Sequence, residues 1–243
     1  MAAAFAVMAL AGFTKGAVGF ALPTVAISGI GSILPAPLAI ATLILPALAS
    51  NLWQALRQGL GEARSSLLRY WRLNAALTIT ILLAAQLVPI LPERVLFLIL
   101  GVAVSGFSLI QLLGWHPRDP GPDGRVEAGV GVLSGFFGGL SGSWGAPIIL
   151  YLLARKVDKR DMVRVQGIAY LAASVMLTLA HLRSGLLGAE TIGLSLWMLV
   201  PALAGMWLGL RLQDRMAQAR FRTATRVVLV LAGLNLLRRG LTG

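Results

Sequence analysis

Gly12-Phe13-Thr14-Lys15-Gly16-Ala17-Val18-Gly19-Phe20-Ala21-Leu22-Pro23 is the stretch on which the fold turns. It sits inside an apolar run from Ala2 to Ile33, longer than the roughly 20 residues that one membrane-spanning helix needs. Clustered glycines followed by a proline predict a break in that run. Proline is comfortable in a helix's first turn and holds the residue before it out of the helical region. The stretch has a second copy, Gly135-Phe136-Phe137-Gly138-Gly139-Leu140-Ser141-Gly142-Ser143-Trp144-Gly145-Ala146-Pro147. Both read G-F-x-x-G-x-x-G followed by an aromatic residue and a proline, with the glycines offset by 123 positions and the prolines by 124.

The rest of the chain is as oily as this stretch. Of 243 residues, 57% are hydrophobic and 12% charged, with a mean hydropathy of +0.82. Soluble domains carry about a quarter charged residues, so a water-soluble globule is excluded. The net charge of +12, from 21 basic and 9 acidic residues, raises the question of nucleic acid. Its distribution answers that question. Fourteen of the 21 basic residues fall in three islands, Arg57 to Arg72, Arg155 to Arg164 and Arg211 to Arg226, between long apolar runs. That is how a polytopic membrane protein is oriented, not how a nucleic-acid groove is built. Cysteine is absent, which removes disulfides, thiolate metal sites and cysteine nucleophiles. Two histidines, His116 and His181, are too few for a histidine metal cluster, and no cofactor or metal is expected. The N-terminal run lacks the positive region of a signal peptide and reads as the start of a membrane segment.

Eight apolar stretches can be marked: Ala2 to Ile33, Pro35 to Leu56, Leu73 to Leu91, Arg94 to Leu113, Ala128 to Leu153, Val163 to Leu182, Ile192 to Leu212 and the shorter Val227 to Leu237. The three basic islands are expected in the cytoplasm, whereas Ser28 to Ala36 is uncharged and Arg183 to Glu190 is balanced. Eight plain crossings would put the first island on one face and the other two on the opposite face. If the first and fifth segments each enter and return, or are otherwise broken, all three islands share a side. The scheme places the Arg238-Arg239 tail outside. The island Arg57 to Arg72 also carries Leu60, Leu67, Leu68, Tyr70 and Trp71, and reads either as an interfacial amphipathic helix or as a solvated loop.

The repeat extends beyond the glycines. An offset of 124 pairs Thr42 with Gln166, Pro46 with Tyr170, Ser50 with Ser174 and Gln54 with Thr178, so a stripe containing polar residues maps onto another at helical spacing. Polar stripes in oily segments turn inward, because lipid offers no hydrogen-bond partner. The expected fold is therefore an all-α polytopic membrane protein of two inverted homologous repeats, residues 1–114 and 128–243, joined by a Pro/Gly-rich connector, 115–127. Inverted repeats with broken helices near the midplane characterise many secondary transporters, and the paired breaks point to the binding site.

The glycine spacing itself has two readings. Gly12/Gly16 and Gly135/Gly139 fit close helix packing through small residues. The prolines instead suggest half-helices starting near Pro23 and Pro147, whose free N–H groups and positive dipole ends would attract an anion. Lys15 is the only formally charged residue well inside any segment, where a lysine costs about 2.5–3.5 kcal/mol at the bilayer centre on insertion scales. It either snorkels to the near interface, bonds backbone carbonyls, or offers its charge to an anion beside the Gly16/Gly19 break. The second break has Ser141, Ser143 and Trp144 where a lysine is lacking, with hydroxyl and indole donors suited to oxyanion oxygens; plain packing is the other reading of Trp144. The candidate substrate-binding residues are Lys15, Gly16, Gly19, Phe20, Pro23, Asn51, Gln54, Gly139, Ser141, Gly142, Ser143, Trp144, Gly145, Pro147, Gln166 and Tyr170. For Asn51, Gln54, Gln166 and Tyr170, interhelical hydrogen bonding is the competing role.

The duplicated glycine motif, the two-fold repeat and the length resemble the sulfite exporter TauE/SafE family of small membrane permeases, over essentially the whole chain. The resemblance implies a secondary transporter of small sulfur-containing anions, such as sulfite or organosulfonates, working by alternating access in the cell (inner) membrane. A passive anion channel, or a carrier of other small organic anions such as carboxylates, is the alternative. Paired catalytic carboxylates, H-E-x-x-H, G-x-S-x-G and the P-loop pattern are all missing, so no enzymatic activity is expected. The expected partners are the small oxyanion, the lipid bilayer and, as one arrangement, a second copy in a homodimer; nucleic acid is not among them.

Overall fold

In a computed structural model the chain is described at residues 1–84, 123–141, 144–183 and 185–242 and at isolated positions between 98 and 121. Every regular element among the described residues is an α-helix. The helices are α1 (Ala2–Val18), α2 (Leu22–Ile30), α3 (Ala36–Leu56), α4 (Leu60–Arg69), α5 (Trp71–Ala84), α6 (Gly124–Ser141), α7 (Gly145–Ala154), α8 (Lys159–Arg183), α9 (Ala189–Arg215) and α10 (Gln218–Thr242). Three of them, Pro37–Leu56 within α3 and the whole of α8 and α9, are long and apolar enough to cross a membrane. Most of the expected segment from Arg94 to Leu113 lies outside the described residues, as do residues 115–118, 120 and 122 of the expected connector, whose last four residues, Gly124 to Glu127, are instead the first turn of α6. The last segment, read from sequence as Val227 to Leu237, is part of a helix of 25 residues, because apolar periodicity fades at an arginine-bearing end while the backbone ladder continues.

Both glycine stretches are breaks. α1 stops at Val18, Gly19 takes the left-handed conformation (φ 94°), Ala21 does so too (φ 75°), and α2 starts at Leu22 with Pro23 in its first turn. Glycine tolerates positive φ at no steric cost, whereas Ala21 carries a β-carbon there and is held by burial on both sides. α2 then folds back along α1. A β-carbon added at Gly29 would lie 2.5 Å from Val7 Cγ1, which only a hairpin permits. In the second copy α6 ends at Ser141 and α7 begins at Gly145, and a β-carbon added at Gly138 would fall 2.6 Å from Trp144 Cβ. This chain also returns: Arg155, just after α7, ion-pairs with Asp119, which precedes α6, at 3.3 Å.

The helices gather into two units. The first comprises Met1–Leu60 and Gln166–Ala217, the second Gly61–Val165 and Gln218–Gly243, so α8 gives its first turns to one and the rest to the other. The core of the first is a cluster of Ala4, Met8 and Ala11 from α1, Leu22, Ala26 and Ile30 from α2, Ala39, Leu43 and Ala47 from α3, and Met198 and Ala202 from α9. α1 and α9 run parallel and nearly touch. β-carbons at Gly12 and Gly16 would lie 2.0 and 2.2 Å from the carbonyl oxygens of Ala202 and Met206, and those at Gly205 and Gly209 equally close to Ala9 and Phe13. The sequence reading found one side of this zipper, Gly12/Gly16, but not its partner, although Gly205-x-x-x-Gly209 carries the same spacing. In the second unit α6 runs parallel to α5 in the same way, with Gly131 and Gly135 against the carbonyls of Leu73 and Leu77.

The basic islands meet. In the second unit Arg164 bonds Ser66 Oγ (2.7 Å) and Asp161 (2.8 Å) and lies 3.4 Å from Glu62, while Gln218 bonds the Val157 carbonyl and the Lys159 N–H, and Arg222 bonds the Lys156 carbonyl. Residues of all three islands are thereby joined. In the first unit Arg57 pairs with Asp214, which ties the start of the first island to the third. α4 is helical with Leu60, Leu67 and Leu68 exposed, and Trp71 beyond it is exposed as well, whereas Tyr70 is buried.

Candidate functional site

Lys15 lies in the last turn of α1, one turn before the Gly19 break, and only 3% of it is exposed. Its side chain does not reach the protein surface. Its Nζ donates to Asn51 Oδ1 on α3 and stands 5.7 Å from the centre of the Tyr170 ring on α8. Asn51 in turn donates from Nδ2 to the Tyr170 carbonyl (3.1 Å) and the Ser174 hydroxyl (3.2 Å). Its amide is thus saturated on both sides, and it holds the lysine against α8. No carboxylate forms an ion pair with Lys15 among the described residues, and Lys15 is the only buried charged side chain among the described residues of the first unit.

The antiparallel fit of α3 on α8 creates this cluster. Gly167 has room only for hydrogen, since a β-carbon there would fall 2.6 Å from Gln54 Cβ and from the Ala55 N–H nitrogen. Gln54 follows Asn51 by three residues and Gln166 precedes Tyr170 by four, so both glutamines stand about one turn nearer the basic end than the Lys15 layer. Gln54 Nε2 donates to the Gly19 carbonyl at 3.0 Å, satisfying an acceptor that the break releases from the helical ladder. Thr42 and Ser50, although buried on the same helix, turn their hydroxyls back to the carbonyls of Ala39 and Ala47. α3 is further tied to α9 by the Leu45 N–H, which donates to Ser195 Oγ at 3.2 Å beside Pro46.

The first turn of α2 opens beside this cluster with no side-chain cap. Its orphan N–H groups and dipole make it a place for negative charge. Phe20 is buried at the break, and Pro23 occupies the first turn. Gly16, by contrast, is spent on packing against α9. Trp144, Gly145 and Pro147 belong to the second unit, where Trp144 sits before the uncapped start of α7 with its β-carbon close to Gly138. Gly142 and Ser143 lie outside the described residues, as do the side-chain surroundings of Gly139 and Ser141. Ser174 completes the hydrogen bonds of Asn51 and is the one polar contact absent from the sequence-based set; its place on the stripe with Gln166 and Tyr170 was the available signal.

The sequence profile described as Sulfite exporter TauE/SafE matches residues 4–236. The chain belongs to the sulfite exporter TauE/SafE family. No curated protein and no solved structure matches it. As a TauE/SafE member it is a multi-pass membrane protein of a transporter family, which agrees with its apolar helices.

Proposed function

We propose that this protein is a secondary transporter that moves a small sulfur-containing anion, of the sulfite or sulfonate class, by alternating access, and that the anion is held at Lys15. The observation that carries this reading is the buried ammonium, whose partners among the described residues are one amide oxygen and one aromatic ring and not a carboxylate. Burying an unpaired charge is costly, and a site that keeps it has a use for a counter-ion. Around it the proposed binding set is the Gly19–Pro23 break, with Phe20 walling it and the uncapped α2 N-terminus adding donors, and Gln54, Gln166 and Tyr170; Asn51 positions the lysine.

The repeat organisation belongs to the same proposal: two inverted halves, 1–114 and 128–243, linked by 115–127. Packing supports it. α1, the first helix of one half, lies parallel on α9 of the other, and α6, the first helix of the second half, lies parallel on α5 of the first. The glycine contacts Gly12 to Ala202 and Gly135 to Leu77 are related by offsets of 123 and 125, close to those that relate the two motifs. The joined basic islands support a single cytoplasmic face in the inner membrane.

The test is a binding screen of the purified full-length protein against sulfite, sulfate, thiosulfate, sulfonates and carboxylate controls, followed by flux in proteoliposomes. Sulfur oxyanions should bind in preference to carboxylates, with saturable and trans-stimulated flux. Lys15→Ala should weaken binding at least about a hundredfold, the loss of a charge-assisted contact in a dry site. Unchanged affinity in that variant would remove Lys15 from the site, and single-channel conductance would replace the carrier by a channel.

A further inference from the structure

Two glutamines about one turn from the Lys15 layer are not saturated. Gln54 Nε2 is committed to the Gly19 carbonyl, and because a carbonyl only accepts, this contact fixes the orientation of the amide. Gln54 Oε1 is consequently a buried acceptor with no donor. Gln166, fully buried one turn from Tyr170, has neither its amide oxygen nor its amide nitrogen engaged. Buried polar atoms in folded proteins are almost always paired, and those left open mark where water or a ligand is received.

The inventory of open atoms describes the ligand. On the donor side stand the remaining N–H bonds of the Lys15 ammonium, the Gln166 amide NH₂ and the uncapped first turn of α2. On the acceptor side stand Gln54 Oε1 and Gln166 Oε1. A group offering only acceptor oxygens, such as sulfate or a simple alkanesulfonate, satisfies the donors and leaves the acceptors facing its own lone pairs. A second negative charge would find no second cation, since Lys15 is the only buried charge among the described residues of this unit.

We propose that the site selects a singly charged sulfur oxyanion that itself carries an O–H donor, hydrogen sulfite or a hydroxyl-bearing sulfonate, and that Gln54 Oε1, aided by Gln166, reads that hydroxyl. The proposal rests on the reading that the Lys15 cluster binds a sulfur anion, and it names which members of that class. The physical basis of the selection is asymmetric: a site built to receive a donor rejects the analogue lacking it, because the buried acceptor is then left unpaired.

The test uses pairs of monoanions of equal size at one pH, titrated calorimetrically into the purified full-length protein: hydroxymethanesulfonate against ethanesulfonate, and 2-hydroxyethanesulfonate against propane-1-sulfonate, with sulfate as the dianion. The hydroxyl member of each pair is expected to bind at least about tenfold more tightly than its methyl counterpart, and sulfate more weakly than either hydroxyl compound. In Gln54→Leu the ratio within each pair should fall to within about twofold. Should that variant fail to fold, Gln166→Met provides the second reading of the same ratio, and the wild-type comparison needs no variant. Equal affinity within both pairs, as expected if water alone fills the open positions, or a ratio untouched by either substitution, overturns this proposal while leaving the sulfur-anion reading intact. Failure of all the sulfonates and of sulfite to bind overturns both.

Discussion

A lysine ammonium has three hydrogens to place, and inside this bundle Lys15 gives one to Asn51 and faces an aromatic ring. The residues around it divide by what their bonds leave over. Asn51 is saturated; Gln54 and Gln166 keep open atoms; Gly16 and Gly167 have room only for hydrogen and set the distances between helices. The glycines make the sharpest prediction at this scale. Gly16→Leu drives a side chain into the Met206 carbonyl, and overpacking of that kind costs about 1–3 kcal/mol or more, so the variant should lose most of its yield of folded protein by size-exclusion chromatography in detergent. Gly61→Ala, at a helical glycine with nothing within 4 Å, should be as stable as wild type or up to about 1 kcal/mol better. Equal behaviour of the two would mean that the α1–α9 contact is not close in the folded protein.

Each broken segment pairs a longer helix with a shorter one that turns back, 17 residues with 9 in the first copy and 18 with 10 in the second. The glycine and proline pattern made the breaks legible in the sequence, and the start of α2 was predicted to within a residue. Whether α2 returns along α1 was left open, since the sequence allowed either a segment that enters and returns or one broken in another way. Proline and glycine report that a helix stops, whereas the direction in which the chain resumes depends on Gly29 finding Val7 and on Leu22, Ala26 and Ile30 entering the core. Because cysteine is absent, single cysteines give a clean test of the hairpins. Ser32→Cys, in the exposed turn after α2, should react with an impermeant maleimide added to intact cells, and Arg160→Cys, exposed in the second basic island, should react only after permeabilisation. Labelling of both from outside would refute the proposed sidedness.

Over the whole molecule, like charges would repel if the islands simply shared a face, and the structure answers with acidic and hydroxyl partners placed among them: Glu62, Ser66 and Asp161 around Arg164, and Asp214 on Arg57. Arg164 is buried while the side chains of Glu62 and Asp161 are 60% and 43% exposed, so the pair energies are discounted by screening. Arg164→Ala should still lower the thermal midpoint in detergent by a few degrees, the effect of about 1 kcal/mol, through the lost contacts to Ser66 and Asp161; an unchanged midpoint would show the join to be incidental. The membrane class, the helical architecture, the two breaks, the grouping of basic residues and the place of Lys15 as a charge inside an apolar segment were all legible in the sequence. Those follow from composition and from local rules of helix start and stop, which act within a few residues. Only the tertiary structure decided that α1 zips onto α9 and α6 onto α5, that both broken segments turn back, and that Asn51 takes up the lysine while Gln54 and Gln166 stay open. These depend on which apolar faces bury one another and on which polar atoms find partners across more than a hundred residues of chain, and no spacing within one segment encodes that.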